Sequence, residues 1–553
     1  MLSLKTTHME HYLKKLQRTV VSNWDRPSVS NYKGESFTYC QTATRIARLH
    51  VLYDRLGLQD SDKVAICARN SARWAIAFLS SNTYGTVTVP ILNDFLPDSI
   101  ASLTNHSGSA VLFTDAEIWD KLDPENIPGV RCVLNCADFS LLYARDEATL
   151  AAYRGVDAAF ETRYPDGFGP SDVRYPDFAL DRLAIINYTS GTTSAPKGVM
   201  ITYGNLTATV DYSQSHVHSG PEDSLVSILP LAHMYGLAIE FLYPCCSGCP
   251  IYFLGRTPSP TLLMKAMKDV RPYMVVTVPL VMEKVYKSSI KPVVSKWYMK
   301  ILLSVPGISN LIYGKIRGAL MEAFGGRVRI FIMGGAALNP EVERCFKRMK
   351  FPYMVGYGMT EAAPLLGWEW WEQFVPGSCG KPCHQVRIDS EDPQHIAGEI
   401  QAKGPNICVG YYNNPEAQAM LFTEDGWLRT GDLGIMDAAG NIFIKGRSKS
   451  MILTANGQNV YPEELEAVVN NQPYVAESLV LDRNGKIVAL IYLDKDLIRR
   501  DALDSEAVSD IPERVRISSN RLLPAYSQIT KVEVMAAPFE KTPKLSIKRF
   551  LYK

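Results

Sequence analysis

The sequence predicts an α/β protein with a large N-terminal part and a small α+β C-terminal domain. The large part would hold two helix-covered, mainly parallel sheets and a small antiparallel β subdomain. Three observations predict this. The chain has 553 residues, too many for one ordinary core, so roughly two to four packed units are required. Short apolar runs alternate with helical patterns through the first two-thirds, as they do in the strand–helix–strand crossovers of a parallel sheet. Beyond about residue 385 the texture changes to short strands divided by Gly, Asn and Asp turns.

At the start, MLSLKTTHMEHYLKKLQRTVV has no continuous apolar segment of the kind a signal peptide needs. Met9, Leu13, Leu16 and Val20 fall at helical spacing, with Lys14, Lys15 and Arg18 outside that stripe. A helix packed on its own domain is expected there, with peripheral contact to a membrane face as the alternative. KVAICARN (63–70) reads as a buried strand, SARWAIAFLSSNTYG (71–85) as the next helix, and TVTVPI (86–91) and SAVLFTD (109–115) as further strands. LVSILP (225–230), YMVVTVP (273–279) and VRIFIMGG (328–335) predict a second sheet of the same kind. GEIQAKGP, GWLRTGDLG and GNIFIKGR predict the antiparallel subdomain. A last unit begins near Gly446-Arg447-Ser448-Lys449 and contains a helix (PEELEAVVNN) and strands (SLVLDR, KIVALIYL). The expected division is 1–446, with subdomains of about 1–180, 181–384 and 385–446, followed by 447–553.

Composition excludes several classes. A formal net charge of +1 gives no basic surplus for a nucleic-acid partner. No apolar run approaches the roughly 18–20 residues of a spanning helix. The predicted location is therefore the cytoplasm, and the 11 cysteines are expected as reduced thiols. Cys246-Ser-Gly-Cys249 has the spacing of a redox or zinc half-site, and Cys379, Cys383 and His384 could supply three ligands. Neither has the second pair of a structural zinc site, so buried, inert thiols are expected.

The strongest chemical signal is Tyr188-Thr-Ser-Gly-Thr-Thr-Ser-Ala-Pro-Lys197-Gly198-Val199. It follows the apolar run LAIIN and precedes ITYGNL, which is expected to open a helix. In such a loop, backbone N–H groups and the hydroxyls of Thr189, Ser190, Thr192 and Thr193 converge on phosphate oxygens around Gly191, and Lys197 adds charge. It is not a Walker loop, in which the order is Gly-Lys-Ser/Thr.

This segment resembles the signature of the adenylate-forming superfamily, which includes acyl-CoA synthetases, peptide-synthetase adenylation domains and firefly luciferase. The resemblance runs in order through almost the whole chain. Phe37-Thr38-Tyr39 resembles the first motif, and Leu229-Pro-Leu-Ala-His233-Met-Tyr235-Gly236 the segment lining the acyl site. Gly334-Gly335-Ala336 is similar to the adenine-side turn. Tyr357-Gly358-Met359-Thr360-Glu361 resembles the motif that stacks adenine and helps to hold magnesium, for which Glu361 and Thr192 are the matching positions. Gly426-Trp-Leu-Arg-Thr-Gly-Asp432 resembles the ribose-binding segment. Gly446-Arg447-Ser448-Lys449 resembles the hinge to a mobile C-terminal domain, and 456–464 the stretch after it, with Gly457 on the coenzyme A side. Alone, Glu361 would be a helix N-terminal charge, Asp432 a turn residue and His233 a core histidine.

The resemblance implies ATP, Mg²⁺ and coenzyme A as reactants and cofactor. A carboxylate would attack the α-phosphorus of ATP, and the coenzyme A thiol would then displace AMP. GRSKSMILTANGQNVYPEELE and VPLVMEKVY are most similar to bacterial long-chain fatty acyl-CoA synthetases, whose hinge commonly carries the lysine found at Lys449. Trp368, Trp370 and Trp371 are candidates for the wall of an acyl tunnel, or for packing between subdomains. Two positions depart from the family. Ser194 stands where a second glycine is usual, and Ser546 where relatives carry a lysine that contacts the α-phosphate during adenylation. Lys544 and Lys548 lie two residues to either side and are the candidate stand-ins. Two other readings stay open: loading of an acyl carrier protein, and a catalytically impaired acyl- or nucleotide-binding homologue.

Overall fold

The computed structural model describes residues 9–189, 197–255, 259–453, 459–483, 485–541 and 547–552. Its first sheet has eight strands in the order Gly410–Tyr412, Lys197–Thr202, Leu183–Thr189, Val87–Pro90, Lys63–Cys67, Ser109–Thr114, Cys132–Asn135, Leu141–Ala144. The pairs from Leu183–Thr189 through Cys132–Asn135 are parallel, and antiparallel strands close both edges. The second sheet has seven strands in the order Tyr353–Val355, Ile330–Met333, Met274–Thr277, Leu225–Ser227, Ile251–Phe253, Pro27–Asn31, Ser36–Thr38. Only its last pair is antiparallel.

The local causes are visible in the sequence. Val, Ile and Leu fill the buried central strands, as burial on both faces demands. The helix Ala72–Tyr84 starts where the Ser71 hydroxyl accepts from the Trp74 N–H, and it stops at Gly85, whose φ of 103° a side chain would disfavour. Between the sheets Trp74, Phe78 and Phe241 pack with ring centroids 5.6–6.3 Å apart. The N-terminal helix Tyr12–Ser22 buries Leu13, Leu16 and Val20 in this core, so its apolar stripe is occupied. No helix among the described residues is long and apolar enough to cross a membrane.

After the two sheets comes a four-stranded antiparallel sheet, Gln385–Asp389, Gly398–Lys403, Leu428–Met436 and Ile442–Arg447. The C-terminal unit packs the helices Pro462–Val469 and Ile511–Asn520 on a sheet of Val475–Arg483, Lys486–Leu493 and Lys531–Val534. The expected class, parallel-rich α/β with an α+β end, is what the chain adopts.

Two local expectations need correction. The hydroxyl-rich loop does not lead straight into the helix that opens within ITYGNL. It joins Leu183–Thr189 to the antiparallel strand Lys197–Thr202, and the helix starts only at Tyr203, capped by Thr202. The β-branched Val199 and Ile201 favour that strand. A cut near residue 180 also fails to separate the sheets, because they exchange strands. Pro27–Asn31, early in the chain, pairs with Ile251–Phe253, while Leu183–Thr189 and Lys197–Thr202 complete the first sheet. Hydrophobic runs mark strands but carry no information about which non-local neighbour they choose.

Candidate active site

Two groups of interacting side chains stand at the ends of the segment Tyr357–Glu361. At one end the Tyr357 hydroxyl donates to Asp432 Oδ2 at 2.7 Å. Arg447 Nε lies 2.8 Å from Asp432 Oδ1, and Asp432 and Arg447 face each other across neighbouring antiparallel strands. Burial raises the Asp432 pKa, and Arg447 and Tyr357 oppose that shift. Each carboxylate oxygen has one contact and can accept a second hydrogen bond, so a diol could be held here beside the buried Tyr357.

At the other end the Tyr411 hydroxyl donates to Glu361 Oε1 at 2.7 Å. Lys197 Nζ lies 5.0 Å from the centroid of the Tyr411 ring. Tyr411 is placed there by pairing with Val199 in the hairpin strand that Lys197 begins. The Glu361 main-chain oxygen accepts from Cys408 N at 2.8 Å, which fixes the turn carrying the carboxylate. Lys197 and Glu361 are thus joined through one tyrosine, and Thr189 sits opposite Lys197 in the strand register.

The donor set fits Mg²⁺ in one particular way. Among the described residues no group of three or more His, Cys, Asp or Glu could cage a metal. A single buried carboxylate is what Mg²⁺ uses when phosphate oxygens and water complete its shell.

The acyl-side segment is held by polar groups behind it. Asn70 donates to Leu229 O at 2.6 Å and accepts from Leu231 N at 3.0 Å. Asn187 donates to Ala232 O at 2.8 Å. Gly236 admits no side chain, since a Cβ there would stand 2.6 Å from Pro230 O. The Tyr235 hydroxyl donates to Ile332 O at 3.1 Å. A cavity of 2240 Å³ is lined by His233, Tyr235, Gly236, Gly335, Thr360 and Trp368. Leu263, Met264, Ile316, Leu320 and Phe324 give it an apolar stretch of lining, and Asn470–Val475 of the C-terminal unit line it as well.

The structure therefore gathers Thr189, Lys197, Tyr357, Glu361, Asp432 and Arg447 around one segment, with Gly358, Thr360, Gly335, His233, Tyr235, Gly236 and Trp368 on the adjoining cavity. Trp370 and Trp371 are half-buried and pack against the core. Ala336 is exposed beside Gly335, and Lys449 is exposed just after Arg447. Lys548 pairs with Glu540, its Nζ 3.4 Å from Oε2, and it does not line the cavity. Ser190, Gly191, Thr192, Thr193, Ser194, Gly457, Lys544 and Ser546 lie outside the described residues. Cys246, Cys379 and Cys383 are buried, and burial pushes their thiols up to about 12.

Sequence reasoning missed Tyr411 and Glu240. Nothing local marks Tyr411, whose partners come from strand pairing. Glu240 did carry a signal, a lone carboxylate in the apolar run GLAIEFLYP. It is fully buried in the π-helical turn Gly236–Leu242 and accepts from Ser227 Oγ at 2.9 Å and Leu229 N at 2.9 Å. Such turns recur at functional sites. Burial pushes its pKa up to about 8. A carboxyl raised in the folded state costs nothing below the unfolded value near 4.5, and its ionisation destabilises the fold as pH rises through 8. Wild-type stability should thus fall between pH 5 and 9 by more than that of Glu240→Gln, the difference being on the order of a few kcal/mol. Urea midpoints across that range test it, and parallel curves would overturn it.

Residues 16–412 match the family model described as AMP-binding enzyme, and 449–552 match the model described as AMP-binding enzyme C-terminal domain. The chain is 27% identical to long-chain-fatty-acid–CoA ligase 4 of Saccharomyces cerevisiae, over 86% of this chain and 75% of the relative. It is 27% identical to 4-coumarate-CoA ligase 2 of Narcissus pseudonarcissus, over 83% and 78%. It is 27% identical to long-chain-fatty-acid–CoA ligase FadD15 of Mycobacterium bovis, over 93% and 89%. The fold is similar to that of ATP-bound MatB from Rhodopseudomonas palustris, with a TM-score of 0.78 and 22% identity over 98% and 97% of the two chains.

Proposed function

The chain belongs to the AMP-binding enzyme family of AMP-forming acid–CoA ligases, and from that premise we propose that it is a fatty acyl-CoA synthetase acting on medium- to long-chain acids. The observation that carries the acyl class is the apolar stretch of the cavity lining, Leu263, Met264, Ile316, Leu320 and Phe324, which we read as an arm for the acyl chain. At 2240 Å³ the cavity is larger than an ordinary single-ligand pocket of roughly 300–1,000 Å³, which leaves room for a nucleotide and an extended chain together. The long-chain relatives in yeast and Mycobacterium support the same reading.

In this reading Tyr357 stacks the adenine, and Asp432 accepts from the ribose hydroxyls while Arg447 neutralises it. Thr189, Lys197 and the loop between them hold the phosphates. Glu361 would hold Mg²⁺, whose chemistry is to neutralise phosphate charge. Tyr411 donates to one Glu361 oxygen, and the other would be the one to take the metal. The acid, laid along the arm past His233, presents its carboxylate oxygen in line to the α-phosphorus, and pyrophosphate leaves. The thiol of coenzyme A then attacks the acyl carbonyl carbon and AMP leaves with the bonding pair. Preorganised charge supplies most of the stabilisation in such displacements.

The test is a panel from acetate to hexadecanoate, with malonate, benzoate and 4-coumarate, assayed for AMP release with coenzyme A. Each buried methylene is worth about 0.8 kcal/mol, so kcat/KM should rise by about fourfold per carbon until the arm is filled. A preference for malonate or an aromatic acid would overturn the acyl assignment. Adenylation without transfer to coenzyme A would move the acceptor to a carrier protein.

The lysine position is tested separately. With Ser546 in place of the usual lysine, we propose that a neighbour supplies the cation, Lys548 in preference to Lys544, the alternative being a slower adenylation without this contact. Lys548→Ala should slow pyrophosphate exchange by at least about tenfold, about 1.4 kcal/mol in the barrier. If neither alanine variant matters and Ser546→Lys accelerates exchange, no stand-in operates.

A further inference from the structure

From Lys284 to Met321 the sequence carries six lysines and one arginine and no Asp or Glu. The same stretch exposes apolar side chains that a folded core would take up: Trp297 is 75%, Leu311 68% and Ile301 58% exposed, and Tyr298, Leu302 and Ile308 are exposed beside them. The helix Trp297–Ser304, WYMKILLS, has six apolar or aromatic residues in eight and buries none. These six exposed large apolar side chains, all within fifteen residues, exceed the single, scattered ones of ordinary surface and point to a docking site. Of the cations, Lys291 pairs with Glu341. The other six form no salt bridge among the described residues, so their charge is available to a partner.

We propose that the hairpin of this helix and the next, Ile308–Ala323, docks on an anionic lipid bilayer, with Trp297, Ile301 and Leu311 at the headgroup–acyl boundary and the lysines on lipid phosphates. The charge pattern selects this occupant. A second copy meeting the same face across a two-fold axis would bring seven cations against seven around the apolar patch. An uncharged apolar partner would leave the lysines desolvated and unpaired. An anionic bilayer satisfies both features together, as it does for interfacial helices with basic flanks, and tryptophan favours that depth.

The patch is continuous with the cavity. Ser288, Pro292 and Val293 line the cavity and are exposed, so it reaches the surface at the base of the hairpin. On the fatty-acid reading above, docking would place that opening against the phase in which an apolar acid is dissolved. The docking itself needs only the surface.

The experiment is vesicle flotation of the full chain, using phosphatidylcholine with and without phosphatidylglycerol, at low and high salt. Expected is binding to the phosphatidylglycerol vesicles, at least tenfold weaker on phosphatidylcholine alone and reduced by salt. The triple variants Trp297→Asp/Ile301→Asp/Leu311→Asp and Lys296→Glu/Lys300→Glu/Lys315→Glu change exposed positions only. Each should lose at least tenfold in binding while keeping the wild-type melting temperature and turnover of a short, water-soluble acid. Wild-type protein that ignores anionic vesicles overturns the proposal. So do variants that bind as well as wild type, or a patch-dependent dimer or acidic-protein complex that forms in place of vesicle binding. If no fatty acid is activated but vesicles still bind, the substrate reading fails and docking stands. If fatty acids are turned over but vesicles do not bind, docking fails and the substrate reading stands.

Discussion

Glu361→Ala should lower single-turnover formation of the acyl adenylate by about 10²–10³-fold, the usual loss when one preorganised electrostatic partner of a charged transition state is removed. ATP affinity should change far less, because an interaction that strengthens as charge develops acts on the barrier more than on ground-state binding. The geometry gives the reason. Glu361 is buried, its turn is fixed by Cys408 N, and one of its oxygens is taken by Tyr411 at 2.7 Å. Its reactive direction is therefore set before any ligand arrives. Tyr411→Phe keeps the carboxylate and removes only the hydroxyl, so it should cost about tenfold. The pair is measured with saturating Mg²⁺ and ATP. An unchanged rate in Glu361→Ala removes it from the phosphate site. A Tyr411→Phe loss as large as the alanine's would mean that the Tyr411 hydroxyl, and not the carboxylate alone, is the principal element.

Most strands were legible because a doubly covered sheet leaves no polar option. KIVALIYL forms Lys486–Leu493, and SAVLFT forms Ser109–Thr114. Sheet membership was not legible in the same way. Pro27–Asn31 and Ile251–Phe253 are paired though more than two hundred residues apart, and periodicity is blind to that choice. The hydroxyl loop is recognisable by its chemistry but not by its context, because glycine and hydroxyl residues suit a hairpin as well as a helix entry. Val199 and Ile201 were the available correction. In the site, Tyr357, Asp432 and Arg447 stand out by their motifs, and the strand register then explains why they touch: residues 432 and 447 face each other across neighbouring strands. Tyr411 shows the opposite case. Its role arises wholly from tertiary placement, so no local pattern could have marked it.

Lys449→Pro should abolish the overall reaction to a greater extent than either half-reaction measured alone. The C-terminal unit turns Asn470–Val475 toward the cavity and keeps Lys548 on Glu540. On the proposed role of Lys548 the unit would have to rotate to bring it to the phosphates, and Lys449 is the position that resembles the family's hinge. Ser448 N donates to Gly431 O at 3.0 Å, and both Ser450 N and Met451 N donate to Arg447 O. The Lys449 N–H donates to no group among the described residues. Proline there would remove no backbone hydrogen bond, and it would fix φ near −65° and restrict Ser448 as well. The fold should therefore survive with the proposed hinge restricted. Adenylation followed by pyrophosphate exchange, and thioester formation from supplied acyl adenylate, would then separate. One should stay within about tenfold of wild type while coupled turnover falls by at least about a hundredfold. A variant that melts like wild type and loses both half-reactions equally would show that Lys449 is not where the unit turns.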